Sequence, residues 1–193
     1  MVSTRSIAVF CGSRVGNRPQ FAAAAQELGR GLAEAGNRLV YGGGQIGLMG
    51  QLADAALAAG GNVLGVIPQF LTAFEVAHTD LPDLVITDSM HSRKRHMFEQ
   101  ADAFVMLPGA VGTFDETIEV ITWKQLKLHD KPIFIANIAG SADAFLALLD
   151  DAIANQFMAE ATRDLFQVVD NIPELLRLIE AIPAQPVAES DRI

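Results

Sequence analysis

Short apolar runs alternate with amphipathic segments along nearly the whole chain, and this alternation restricts the fold more than any other feature. Ile7-Ala8-Val9-Phe10, Leu39-Val40-Tyr41 and Ala103-Phe104-Val105-Met106-Leu107 have the length of buried strands, and the stretches between them repeat their apolar residues with helical spacing. Strands joined through helices run parallel, and a parallel sheet needs cover on both faces. The expected class is therefore α/β, a parallel sheet with helices on both faces. Strands are expected near Ile7–Phe10, Arg38–Tyr41, Asn62–Ile67, Leu84–Thr87, Ala103–Leu107 and Pro132–Ile135. Helices are expected over Gln20–Ala35, Gly47–Ala59, Met90–Gln100, Thr113–Leu128, Ala142–Asn155 and Pro173–Ile182, with a short one at Glu160–Leu165. A chain of 193 residues suits one such domain, here 1–182, and the aperiodic residues 183–193 are expected to form a frayed tail.

Composition narrows the partners. Half of the residues are hydrophobic, yet no apolar stretch reaches the ~18 residues of a membrane span. The apolar run that follows Met1-Val2-Ser3-Thr4-Arg5-Ser6 is too short for a signal peptide. A cytoplasmic protein with no membrane partner is expected. The formal net charge of -9 argues against a nucleic-acid partner, because affinity for a phosphate backbone comes from clustered Lys and Arg. The single cysteine, Cys11, excludes an internal disulfide and reads as a small residue at a strand end.

Ligands of open parallel sheets gather beyond the carboxyl ends of the strands. Four loops lie there: Cys11–Arg18, Gly42–Gly47, Asp88–Arg95 and Gly109–Glu116. The second begins Gly42-Gly43-Gly44-Gln45-Ile46-Gly47-Leu48-Met49, which has the spacing of a dinucleotide fingerprint. The acid that would hold a ribose about 20 residues later is replaced by Val66-Ile67-Pro68-Gln69. Two readings of Gly42, Gly43, Gly44, Gly47 and Met49 stay open: a structural tight turn, or close backbone approach to another nucleotide.

The fourth loop, Pro108-Gly109-Ala110-Val111-Gly112-Thr113-Phe114-Asp115-Glu116, carries glycines, a hydroxyl and a carboxylate into the start of a helix. Backbone N–H groups and the helix dipole make such a junction an anion site. Thr113-x-x-Glu116 also fits a capping box, although a capping box has no need of Gly109 and Gly112. In the third loop, a helix through His91-Ser92-Arg93-Lys94-Arg95-His96-Met97 sets Arg93, His96 and Met97 on one face and Lys94 and Arg95 elsewhere. His91 and His96 are spaced i, i+5 and no acid–histidine motif accompanies them, so no metal is expected.

Taken together, Tyr41-Gly42-Gly43-Gly44-x-x-Gly47-Leu48-Met49-Gly50, Met90-His91-x-Arg93-Lys94-x-x-Met97 and Pro108-Gly109-x-x-Gly112-Thr113-x-x-Glu116 resemble the Lonely Guy family of phosphoribohydrolases. Val9-Phe10-Cys11-Gly12-Ser13, Gly65-Val66-Ile67-Pro68 and Thr122-Trp123-x-Gln125-Leu126-x-x-His129-x-Lys131-Pro132 extend the similarity over nearly the whole chain. The resemblance implies a modified Rossmann-type fold, a homodimer, no cofactor, and hydrolysis of the N-glycosidic bond of a cytokinin riboside 5'-monophosphate or AMP. It implies substrate contacts at Glu75, Arg93, Lys94, the segment Ala110 to Glu116 (with Val111, Gly112 and Thr113) and Thr122; Gly109 is expected to join them as part of the phosphate loop, and Arg93 and Glu116 are expected to be the catalytic pair. Two departures stand out. Ala110 replaces the second glycine of the usual Pro-Gly-Gly, which would cost roughly 1–2 kcal/mol if the position required positive φ, and Glu75 lacks the usual preceding Pro-Arg.

The implied chemistry builds positive charge on the ribose as the base departs. Glu116 would stabilise that charge or orient water, Gly109, Gly112 and Thr113 would hold the 5'-phosphate, and Arg93 would act as a donor, since a guanidinium does not titrate. A broader purine or pyrimidine monophosphate nucleosidase and a non-catalytic nucleotide or cofactor carrier are the alternatives. Members of the family have also been labelled lysine decarboxylases, but no lysine here has the surroundings expected of a pyridoxal phosphate Schiff base.

Overall fold

A computed structural model describes residues 4–72 and 77–183. Strands β1 (Ser6–Phe10), β2 (Arg38–Tyr41), β3 (Asn62–Pro68), β4 (Asp83–Thr87), β5 (Ala103–Met106), β6 (Ile133–Ala136) and β7 (Gln167–Val169) form one sheet. Its order is β4-β3-β2-β1-β5-β6-β7, and every pairing is parallel. Helices α1 (Pro19–Glu34), α2 (Gly47–Ala58), α3 (Met90–Gln100), α4 (Val111–Gln125), α5 (Asp143–Ala154) and α6 (Ile172–Glu180) make the connections, with a 3-10 turn at Glu160–Leu165. The expected α/β class and helix order agree with this architecture. Glu75 and residues 184–193 lie outside the described residues.

The sheet is buried on both faces, so its central strands are apolar throughout instead of alternating. Ile7, Val9, Leu39, Tyr41, Ala103 and Val105 pack with α1, α2 and α6. Ala8, Phe10, Val40, Phe104 and Met106 point the other way and pack with α3, α4 and α5. Strand β1 lies between β2 and β5, where successive strands switch from one side of it to the other. Loops leaving β1 and β5 diverge at that point and open the crevice in which ligands of doubly wound sheets are held.

Two sequence expectations require correction. Helix α4 begins at Val111 rather than Thr113, and its N-cap is Ala110, which offers no capping side chain. Thr113 is therefore the third residue of the helix. Its hydroxyl does not close a capping box, and its carbonyl oxygen accepts from Thr117 Oγ1 at 2.7 Å. Strand β7 was not expected at all. It is three residues long, sits at the sheet edge beside β6 and exposes Gln167 and Val168.

Candidate active site

The recess at the β1/β5 switch point is floored by backbone. Gly12 N–H donates to Pro108 O at 3.0 Å, and Gly12 O accepts from Leu48 N–H at 3.0 Å. One glycine, through the two successive peptide groups that flank its Cα, thus links the loops that leave β1, β2 and β5. Gly47 permits this closeness: its φ is +68°, and a Cβ there would lie 2.2 Å from the carbonyl carbon of Ser13. The start of α2, where a dinucleotide fold would receive pyrophosphate, is filled by the β1 loop.

Helix α3 contributes Arg93. Ser89 caps it, accepting from Ser92 N–H at 3.2 Å while Ser92 Oγ accepts from Ser89 N–H at 3.1 Å, a reciprocal capping box. Arg93 is only 6% exposed. Its Nε donates to Val66 O at 3.1 Å and its Nη2 to Gly42 O at 3.0 Å, so carbonyls at the ends of β2 and β3 set the plane of the guanidinium. Gly42 is glycine for the same reason. A Cβ there would lie 2.1 Å from Arg93 Nη2 and 3.0 Å from Met49 Sδ.

Helix α4 contributes Thr113 and Glu116. Ala110 has φ -127° and ψ -154°, extended backbone that any residue adopts, so the alanine that departs from the family pattern carries no backbone strain. The first helical hydrogen bond runs from Phe114 N–H to Ala110 O at 3.0 Å, which leaves the amides of Val111, Gly112 and Thr113 ahead of the ladder, at the positive end of the dipole. Gly109 makes room for Thr113, since a Cβ on it would stand 2.0 Å from Thr113 Oγ1. A Cβ on Gly112 would meet nothing within 4 Å.

The structure brings Arg93, Ala110, Gly112, Thr113 and Glu116 to this recess together with Gly42 and Met49. Phe10, Cys11, Gly12, Ser13 and Met90 also border it; Cys11, Gly12 and Ser13 belong to the expected ligand loop Cys11–Arg18 and Met90 to Asp88–Arg95, whereas Phe10, inside β1, lies outside all four expected loops. The carboxyl end of β1 was the available signal, because switch-point ligands sit over that strand. Gly109 borders an adjoining recess with Pro108, Arg14 and Phe21. Gly43, Gly44 and Gly47 do not border the recess, and Gly43 packs against β3, where a Cβ would lie 3.2 Å from Val66 N. Val111 is 80% exposed, and Thr122 is exposed along the outer face of α4.

Lys94, for which the resemblance implies a substrate contact, does not border this recess. It forms ion pairs with Asp115 Oδ2 at 3.1 Å and Glu119 Oε1 at 3.2 Å. Partial burial alone would lower its pKa, but hydrogen bonds to Asp115 and Glu119 outweigh burial and hold it above the ordinary lysine value. Among the described residues no cluster of three or more His, Cys, Asp or Glu side chains is placed to hold a metal ion.

Comparison with known proteins identifies the group. The family model described as "Possible lysine decarboxylase" matches residues 49–179. The probable cytokinin riboside 5'-monophosphate phosphoribohydrolase LOG4 of Oryza sativa subsp. japonica is 46% identical over 178 residues, covering 92% of this chain and 77% of that protein. The cytokinin riboside 5'-monophosphate phosphoribohydrolase LOG2 of Arabidopsis thaliana is 42% identical over 176 residues, covering 91% and 83%. Among solved structures, the molybdenum cofactor carrier protein of Chlamydomonas reinhardtii superposes with a TM-score of 0.69 at 20% identity, covering 92% of this chain and 96% of that one. The molybdenum cofactor binding protein of Rippkaea orientalis gives 0.70 at 19% identity, covering 94% and 99%. These two likenesses concern the fold, whereas the family model and the relatives above 40% identity concern the sequence itself: the chain belongs to the Lonely Guy family.

Proposed function

We propose that this chain is an N-glycosyl hydrolase that converts a cytokinin riboside 5'-monophosphate, or AMP, into free base and ribose 5-phosphate. The observation that carries the reading is the convergence of Arg93 from α3 and Glu116 from α4 on one recess at the start of α4. Phosphate is suited to the amides and dipole of that helix start, beside Thr113. With the phosphate there, the carboxylate of Glu116 serves the ribose, stabilising its oxocarbenium character or orienting the attacking water. Arg93, held by two carbonyls, donates to the nucleotide and steadies the departing base. Met49 and Met90 supply apolar, adaptable surface for a planar base.

The position of the lysines disfavours a decarboxylase. All four, Lys94, Lys124, Lys127 and Lys131, lie outside the recess lining, and a Schiff base needs a lysine at the reacting centre. A carrier has no evident use for the Arg93–Glu116 combination, and the carrier proteins share only the fold at about one-fifth identity.

The active form is proposed to be a cytoplasmic homodimer of the single nucleotide-binding domain 1–182. Val111, Ile118 and Leu126 are exposed along one face of α4 and its end, and Thr122 shares that face, an apolar stripe suited to burial against a second copy. No helix among the described residues is long and apolar enough to cross a membrane.

The test is to incubate the purified protein with isopentenyladenosine monophosphate, AMP, other nucleoside monophosphates and the unphosphorylated nucleosides, and to measure free base. Release confined to monophosphates, and lost in Glu116→Gln with binding retained, is expected. Similar rates on purine and pyrimidine monophosphates would favour the broader nucleosidase. Binding without release would favour the carrier, and near-normal turnover by Glu116→Gln would remove that residue from the mechanism.

A further inference from the structure

Three carboxylates, Asp115, Glu116 and Glu119, fall within five residues of α4, and like charges at this spacing repel. Lys94 counters two of them. Its side chain is only 13% exposed, and its ammonium bridges Asp115 and Glu119, the acids immediately before Glu116 and one turn after it. Lys94, Glu116 and Glu119 also enclose one small recess, with Phe10, Phe98 and Trp123 completing its wall. Arg93, the residue before Lys94, faces the larger recess that Glu116 shares. A single cation on α3 is thus tied to both sides of the carboxylate on α4, while its neighbour in sequence enters the site.

We infer that Lys94 is a positioning residue of the hydrolase and not a phosphate ligand: through Asp115 and Glu119 it sets α3 against α4, and so Arg93 against Glu116. It also keeps two extra negative charges from opposing the ionisation of Glu116. The charged and titratable groups bordering the two recesses that Glu116 lines are Cys11, Arg93, Lys94 and Glu119, and Asp115 joins them through Lys94. Removing the lysine leaves Asp115 and Glu119 uncompensated, and negative charge beside a carboxylate raises its pKa. The inference rests on the proposed hydrolase reading.

The experiment compares pH profiles of kcat and KM for a nucleoside monophosphate in wild type, Lys94→Met, Lys94→Arg and the triple variant Lys94→Met/Asp115→Asn/Glu119→Gln. Lys94→Met is expected to lose about tenfold or more in kcat, with KM changed less, and to move the acid limb of kcat/KM to higher pH. Lys94→Arg should keep the wild-type profile. The triple variant should return the acid limb towards its wild-type position, because the orphaned acids are gone. A lysine that binds phosphate predicts otherwise: KM rises, preference for monophosphates over nucleosides falls, and deleting the two acids restores nothing. That outcome, or an unmoved acid limb in Lys94→Met, overturns the inference while leaving the hydrolase intact. Absence of base release by wild type overturns the hydrolase reading and this inference together.

Discussion

The carbonyl oxygen of Gly42 accepts a hydrogen bond from Arg93 Nη2 at 3.0 Å, and that nitrogen occupies the space a side chain on Gly42 would fill. Gly42 does not have positive φ, so the glycine is required by its neighbour and not by its backbone. Gly42→Ala is expected to push the guanidinium out of plane with Val66 O and to reduce kcat/KM by about 100-fold, the scale of a 1 Å misplacement in an active site. A steady-state assay of the variant, beside a circular dichroism melt showing that it remains folded, checks this.

Gly112 behaves in the opposite way. Nothing in the protein lies within 4 Å of a Cβ added there, and alanine is the better helix former by about 1 kcal/mol. Gly112→Ala should therefore leave the denaturation midpoint unchanged or raised. It should nevertheless weaken binding of the monophosphate about tenfold or more, a loss of roughly 1.4 kcal/mol, because the methyl group stands where the ligand meets the helix start. Titration calorimetry and urea unfolding separate the two effects.

Ala110 allows a third test. Its extended backbone means that restoring glycine relieves no strain, and the added freedom of the unfolded chain is expected to cost about 0.4–1 kcal/mol of stability. A gain in stability for Ala110→Gly, measured by chemical denaturation, would contradict the observed conformation.

His129 gives a pH dependence with a defined sign. Its Nε2 lies 2.9 Å from Val120 O and its Nδ1 3.1 Å from Lys131 N–H. A carbonyl only accepts, so Nε2 carries the proton and Nδ1 is the acceptor, and a second proton would break the contact with Lys131. Burial, aided by the charges of Lys124 and Lys131, holds the imidazole pKa below its usual 6.5 despite the opposing hydrogen bond to Val120. The unfolded chain therefore takes up the proton first. Stability contributed by this group is intact above pH 6.5 and declines as pH falls from there towards the lower folded-state value. Unfolding free energies measured at several pH values between about 5 and 7.5 should fall more steeply for wild type than for His129→Asn.

Much of this architecture was legible because it depends on periodicity. Buried parallel strands and 3.6-residue helices leave separate marks in the sequence, and the expected helix Met90–Gln100 agrees with α3 to the residue. The same geometry placed Arg93 and Met97 on one face, and both are buried. What was not legible depends on which atoms approach one another. The Gly42–Gly47 loop suits a nucleotide, yet Gly42 is spaced by Arg93 and Gly47 by Ser13; glycine records that something comes close, not what. The start of α4 is hidden because Ala110 gives no capping signal, while Thr113 and Glu116 imitate one three residues further on. Strand β7 is too short to show a period. Lys94 followed its neighbour Arg93 in the sequence, and only the approach of α4 reveals that the two cations serve different partners.

Gly12, bonded through its N–H to Pro108 and through its oxygen to Leu48, acts as a keystone. Loops leaving three strands bear on one residue, so none of them can be lengthened or exchanged without disturbing the other two. Diversity in what this scaffold accepts must then arise in the walls, from side chains such as Met49, Met90 and Ala110. Attempts to redirect the protein to a new base should vary those positions and leave the floor untouched.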